Sequence, residues 1–397
     1  MTAPHPSLQL IFWTFLKIGS TAFGGLMSLI AVVENVLVER MQWLTHEDIL
    51  DGISIATCVP GAISVNVIAY VGYRLRRGWG TLISLIGVTL PSFVLIVGLA
   101  SAYFHLGQLP TVSKIFSGFI PATAAIIVST AWNISRKDIQ GWREACLALA
   151  AIFLAIKVGG AYTIFLTILA SGFIGFLVFC KQNREPISQK KSFSFNWRLN
   201  LGIALLLLLC LTLAYLAPLL IFEKYILVSL SVTFAGIGVM LFGGAYVGIP
   251  LIQEIVVHHH HWLTPQEFAY AIAAGQITPG PIILSAAFIG YKVGGILGAL
   301  AATVGIYTPP ALWMVAGAQI LASLKNSPQI QAALHGVRSA VIGTIVAAAW
   351  VVGMTAPPDL ISILIFLTAL FALVGLRVGF GWIIPVAGLV GLFWGRG

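Results

Sequence analysis

The chain repeats itself at long range. Phe15 to Gly25, "FLKIGSTAFGG", lies over Phe234 to Gly244, "FAGIGVMLFGG", at an offset of 219 residues. The same offset brings Trp43-Leu44-Thr45 onto Trp262-Leu263-Thr264 and Pro60-Gly61 onto Pro279-Gly280. One residue is then lost, and at offset 218 Gly72-Tyr73-Arg74 meets Gly290-Tyr291-Lys292, Pro91 meets Pro309 and Trp132 meets Trp350. The fold must therefore be two copies of one unit.

Runs such as "AYTIFLTILASGFIGFLVFC" and "LGIALLLLLCLTLAYLAPLLIF" approach or exceed the ~20 residues a helix needs to cross ~30 Å of hydrocarbon. Of the 397 residues, 59% are apolar and 8% charged, too few charges to solvate so much apolar surface. Porin-like strands would alternate apolar and polar residues, and these runs do not. An all-α polytopic membrane protein is expected, lying in a lipid bilayer. The N-terminus lacks the basic region of a cleavable signal. The four cysteines form no CxxC pair, so neither disulfides nor thiolate metal sites are expected. No P-loop, Rossmann fingerprint or nucleophile-base constellation is present, so the reading is a non-enzyme without a cofactor and without a nucleic-acid partner.

The repeats are assigned to 7–180 and 223–395, joined by a polar linker at 181–198 and an unpaired transmembrane helix at 199–222. Each begins with two Gly/Pro-broken segments and continues with about four plain spans. The breaks are Gly24-Gly25 and Pro60-Gly61 in the first half, Gly243-Gly244 and Pro279-Gly280-Pro281 in the second. If the broken segments behave alike, each half crosses an even number of times, and the odd helix inverts the second half. Lys/Arg counts in successive first-half loops are three, one, three, one and then five in the linker. Positively charged loops stay inside, which puts the linker in the cytoplasm.

Paired broken helices in inverted halves point to a secondary transporter with its site at the midplane. A break frees backbone polar groups, tolerable only where protein, water or substrate satisfies them. A Pro-Gly at the start of a half-helix forfeits an N–H that had no partner and lets a ligand approach the backbone, at the positive end of the helix dipole. Candidate substrate contacts are Gly24, Gly25, Thr57, Pro60, Gly61, Ser64 and Asn66 in the first half. Their second-half counterparts are Gly243, Gly244, Gln276, Thr278, Pro279, Gly280 and Pro281, with Ser285 a turn or so beyond. Lys17, unmatched in the second half, either neutralises a bound anion or snorkels to the interface. Glu34, Glu254 and Arg338 are candidates for coupling or for the anion path.

The four histidines His258 to His261 fill the repeat positions of Glu39 to Gln42 without inserting residues. Neighbouring histidines seldom converge on the tetrahedral geometry of zinc. A polar interfacial loop is the preferred reading, with a metal-binding membrane protein as the competing one.

The segments "FLKIGSTAFGG", "CVPGAISVNVIAYVGYRLRRGWG" and "TLPSF", with "WLTPQEF", "GQITPGPIILSAAFIGYKVGG" and "ATVGIYTPP", resemble the chromate ion transporter family in its two-domain form, over nearly the whole chain. That resemblance implies an inner-membrane bacterial carrier for chromate, and for sulfate as its near-isosteric analogue. It implies chromate efflux, with uptake of sulfate or another oxyanion as the alternative, and leaves a homodimer open. Where the family tends to carry Phe-Gly-Gly-Pro and a histidine, this chain has Leu26 and Leu29, and its first Pro-Gly-Pro is Pro60-Gly61-Ala62. The intact Pro279-Gly280-Pro281 is therefore the stronger candidate for ligand contact.

Overall fold

The computed structural model describes residues 6–22, 25–57, 59–106, 110–179, 226–241, 245–324, 328–376 and 378–394. Every regular element among them is a helix, as apolar runs without period-two alternation require. The first half contains α1 (Leu8–Thr21), α2 (Gly25–Glu34), α3 (His46–Ala56), α4 (Ile63–Leu106), α5 (Pro110–Asp138), α6 (Trp142–Lys157) and α7 (Ala161–Phe179). The second contains α8 (Ile226–Met240), α9 (Gly248–Gln253), α10 (Pro265–Ile277), α11 (Ser285–Leu324), α12 (Pro328–Gly353), α13 (Leu360–Val374) and α14 (Phe380–Trp394). Gly24, Gly243, Gly244, the linker 181–198 and the segment 199–222 lie outside the described residues.

The duplication persists into local geometry. π-helical turns close α2 over Asn35–Arg40 and α9 over Glu254–His259, at the same repeat positions. Thr45 with Asp48 and Thr264 with Glu267 form matching capping boxes at the starts of α3 and α10, each worth about 1 kcal/mol. The acid of each box also holds a cation from the next helix, Asp48 to Arg74 and Glu267 to Lys292. Phe15 and Phe234, both fully buried, sit where Gly87 and Gly305 let the first helix of each half close onto its long helix.

Those ion pairs show how the broken segments run. Asp48 begins α3 and Arg74 lies near the end of the first arm of α4, so the two arms are antiparallel and Pro60-Gly61 is the tip of a hairpin. At roughly 1.5 Å per residue each short arm reaches only part-way through ~30 Å of hydrocarbon. The broken segment re-enters. The chain then reverses at Arg76-Arg77 (φ −148° and 51°), as it does at Gly294-Gly295 (φ −142° and 62°). From there α4 crosses fully, its 78–106 arm being roughly 43 Å long. The α10–α11 hairpin is built the same way.

Inversion can be read from the far end of that arm. The base of the first half is marked by Arg74 and by Arg76 Nε donating to the Pro6 carbonyl at 2.8 Å. At the opposite end Tyr103 packs on Tyr270, centroids 5.1 Å apart, and Phe104 stacks on Tyr291 at 6.4 Å and lies 4.6 Å beneath Lys292 Nζ. Tyr291 and Lys292 mark the base of the second half. The two bases face opposite sides, so the halves are inverted. They also interlock, with α5 packing on α13 and α14 and, by symmetry, α12 on α6 and α7.

A direct check uses the exposed repeat partners Glu47 and Gln266. In sealed vesicles, a cysteine at one position should react with an impermeant maleimide added outside and a cysteine at the other only after lysis. Labelling of both from one side would contradict the inverted arrangement.

Candidate functional site

The hairpin tips of opposite halves meet at the centre of the molecule. Gly61 N–H donates to the Leu241 carbonyl at 2.6 Å, and Gly280 N–H donates to the Ala22 carbonyl at 2.9 Å. The bonds are symmetry mates, each joining the hairpin tip of one half to the end of the first helix of the other. Both glycines have positive φ, 114° and 106°. Each is also crowded by the long helix of the other half, Gly61 by Pro310 and Gly280 by Ser92, whose hydroxyl donates to the Pro279 carbonyl.

The prolines act differently from the expected N1 residues. α4 starts at Ile63, and the second arm starts with a 3-10 turn at Ile282–Leu284 capped by Pro281. Pro60 and Pro279 thus belong to the turn itself, where fixed φ shapes the tip. The glycine amides expected to face a ligand are spent on carbonyls in this conformation.

Two buried donors without a partner lie beside the second-half tip. Gln276, in the last turn of α10, is 5% exposed and its Nε2 has no partner. Ser285, the first residue of α11, is 1% exposed with an unpartnered hydroxyl, and it abuts Gly275. Tyr246 brings its hydroxyl to 3.5 Å from Gln276 Oε1 and to Thr130 of α5. Thr123 and Ser129 of α5 also have buried, unpaired hydroxyls. Each unpaired buried donor costs about 1–3 kcal/mol, a cost that an acceptor-rich ligand would remove. Thr278 bonds back to the Ala274 carbonyl at 3.1 Å.

The first-half tip is built otherwise. Thr57, at the position of Gln276, spends its hydroxyl on the Ser54 carbonyl at 2.7 Å. Met27 stands for Tyr246, and Val341, Ala347 and Ala348 of α12 stand for Thr123, Ser129 and Thr130. Asn66, fully buried, donates to the Pro60 carbonyl at 3.1 Å and leaves only an acceptor, Oδ1, free. Ser64 is buried beside it. Of the side chains carried by the two hairpins, the unpaired buried donors are Gln276 and Ser285 of the second, whereas Asn66 of the first leaves an acceptor. Tyr246, Thr123, Ser129 and Thr130 were not among the sequence candidates, and their only advance signal was polarity at positions where the repeat partner is apolar.

The charged candidates fall elsewhere. Lys17 is exposed on α1, about one and a half turns before the tip, and Gly25 opens α2. Glu34 pairs with His46 at the base of the first half. Glu254 opens the second π turn, and Arg338 is half-buried on α12, with neither in an ion pair among the described residues.

The histidine run ends the second π turn and enters the loop before α10. His260 stacks on Trp262, centroids 4.3 Å apart, and meets His259 edge-on at 4.7 Å. Among the described residues no three His, Cys, Asp or Glu side chains gather as a metal site. Burial, and then the neighbouring His259, hold the His260 imidazole below its ordinary 6.5. Its packing therefore favours the neutral ring, and its stabilising effect is complete above that value and lost as pH falls through the window below it. The difference in melting temperature between wild type and His260→Ala should shrink from about pH 8 to about pH 5; a constant difference would count against it.

The chromate transporter family model matches residues 9–176 and 228–392, one match per repeat. The chain belongs to the chromate transporter family. It is 30% identical over 410 residues to a probable chromate transport protein of Synechococcus elongatus, covering 99% of this chain and 98% of that one. It is 28% identical over 392 residues to a chromate transport protein of Cupriavidus metallidurans, covering 98% and 94%. An uncharacterized transporter of Methanocaldococcus jannaschii is 30% identical over 346 residues, covering 86% and 84%. No solved structure matches significantly. Family membership and the apolar helices make this a multi-pass membrane transporter.

Proposed function

We propose that the protein is a secondary carrier of chromate, with sulfate as the natural analogue, in the cytoplasmic membrane, and that it works in the direction of chromate efflux. The observation that carries this reading is the pair of unpaired donors at the second-half tip, Gln276 Nε2 and the Ser285 hydroxyl at the start of α11, with Tyr246 bridging Gln276 to Thr130 of α5. A tetrahedral dianion has acceptor oxygens on every side. Converging N–H and O–H groups can replace its water, and the positive end of α11 favours its charge. Such a pocket reads shape and charge, so chromate and sulfate compete for it.

The reciprocal glycine bonds give the movement a physical basis. Two inverted halves joined at their tips by equivalent contacts can rock about that junction, exposing the midplane alternately to the two sides. The base of the first half, with Arg74, Arg76 and Arg77, and the linker 181–198 are assigned to the cytoplasm by the positive-inside bias. His258 to His261 then lie on the other face. Chromate efflux in this scheme is driven by the membrane potential or the proton gradient, with Glu34, Glu254 and Arg338 as candidates for coupling.

Reconstitution tests the scheme. Labelled chromate should cross proteoliposome membranes saturably, unlabelled sulfate should compete, and an imposed pH gradient or potential should change the rate. Flux of neither anion would overturn the assignment, and flux indifferent to both gradients would remove the coupling.

A further inference from the structure

Two cavities on the first half share Trp142, Arg143 and Phe179 and together have the form of a lipid site. The larger, about 880 Å3, is an apolar trench along α6 and α7 whose walls include Leu147, Ala150, Ile174 and Val178. The smaller, about 540 Å3, is polar and adds Gln140, Glu144 and His335. They meet where α6 begins and α7 ends, at the same end of the bundle as the base of the first half. Trp142 is 73% exposed there, with the Arg143 guanidinium 5.7 Å from its ring centroid, the pairing expected of an interfacial anchor.

The polar end carries both signs of charge. Arg143 is in the first turn of α6, and the Glu144 carboxylate folds back over that turn against the N-cap Gly141. The Glu144 carboxylate, on a residue only 7% exposed, forms no ion pair among the described residues. His335 packs edge-on against Phe179 at 4.6 Å and keeps a buried, unpaired Nδ1 on the wall. The repeat provides an internal control. At the equivalent place the second half has Leu360, Ile361 and Ser362 for Trp142, Arg143 and Glu144, and Ser117 for His335. The fold does not need these charges, and they stand only on one side of the membrane.

We propose that this is a specific site for an aminophospholipid, of the phosphatidylethanolamine type. Its phosphate meets Arg143, its primary ammonium meets Glu144, and one acyl chain fills the trench. An anionic headgroup without an amine would leave Glu144 unpaired and be repelled by it. A trimethylammonium headgroup has no N–H to donate to the carboxylate.

The test is lipid binding to delipidated full-length protein by native mass spectrometry, with melting temperature as a second readout. Phosphatidylethanolamine, phosphatidylglycerol and phosphatidylcholine with identical chains are compared. Phosphatidylethanolamine should bind roughly tenfold more tightly than the other two and raise the melting temperature most, as one charge-assisted hydrogen bond predicts. Arg143→Ala should weaken binding of all three, whereas the isosteric Glu144→Gln should remove only the preference for the amine. Equal binding of the three lipids, tighter binding of phosphatidylglycerol, or a preference that survives Glu144→Gln would each overturn the proposal.

Discussion

Gly61→Ala should abolish transport and lower the melting temperature more than Gly280→Ala. Both residues hold a positive φ, which costs an L-residue about 1–2 kcal/mol. The difference lies in what the new methyl meets. At Gly61 it would lie 2.5 Å from Pro310 Cβ and 2.7 Å from its Cγ, atoms of a rigid ring on a packed helix. At Gly280 the nearest atom, at 2.8 Å, is the Ser92 hydroxyl, with the Ser92 Cβ 3.8 Å away, so a rotamer change relieves most of the clash. Overpacking adds about 1–3 kcal/mol where nothing can yield, which makes Gly61→Ala the larger loss, at roughly 2–5 kcal/mol. Either change also pushes apart a tip that bonds the two halves together, so flux should fall further than stability does. Thermal unfolding in detergent and chromate flux in proteoliposomes measure the two effects. Equal and small losses at both positions would show that the tip junction is not structural.

Much of this arrangement was legible in the sequence, and the rest was hidden for a physical reason. Offset 219 exposed the duplication, the paired Gly/Pro breaks marked the centre, and parity pointed to inversion, because repeats and helix breaks are written in contiguous residues. The contacts that join the halves are not. Ser92 and Pro279 are 187 positions apart, and nothing near either residue announces the other. For the same reason nothing in the sequence announces that the Gly61 and Gly280 amides bond the end of the first helix of the opposite half. Crossing and re-entrant segments also look alike as sequence, and the Asp48–Arg74 pair is what separates them. For Tyr246 and Thr130, one polar residue in an apolar span gives no sign of the direction it faces.

The second large effect concerns Gln276. Its Nε2 is buried and unpaired, so Gln276→Ala removes a donor that costs the empty protein free energy. The variant should lose little stability, because removing the orphan donor offsets part of the cavity it leaves and of the lost 3.5 Å contact with Tyr246. It should nevertheless transport poorly, because a hydrogen bond to a charged ligand contributes about 1.5–3 kcal/mol, or roughly 10–100-fold in affinity. Ser285→Ala should behave similarly. This separation of stability from transport distinguishes a ligand contact from a packing residue, which would lose both together.

In the proposed function an inverted, two-fold scaffold holds its anion asymmetrically, at the second-half tip. The most direct measurement is saturable chromate flux into proteoliposomes for Gln276→Ala and for Thr57→Ala, the same substitution at the repeat-equivalent position. Thr57 already spends its hydroxyl on its own helix, so that variant should keep near wild-type flux while Gln276→Ala shows an apparent affinity for chromate at least about tenfold weaker. Equal losses from the two variants, or wild-type behaviour in Gln276→Ala, would contradict the claim.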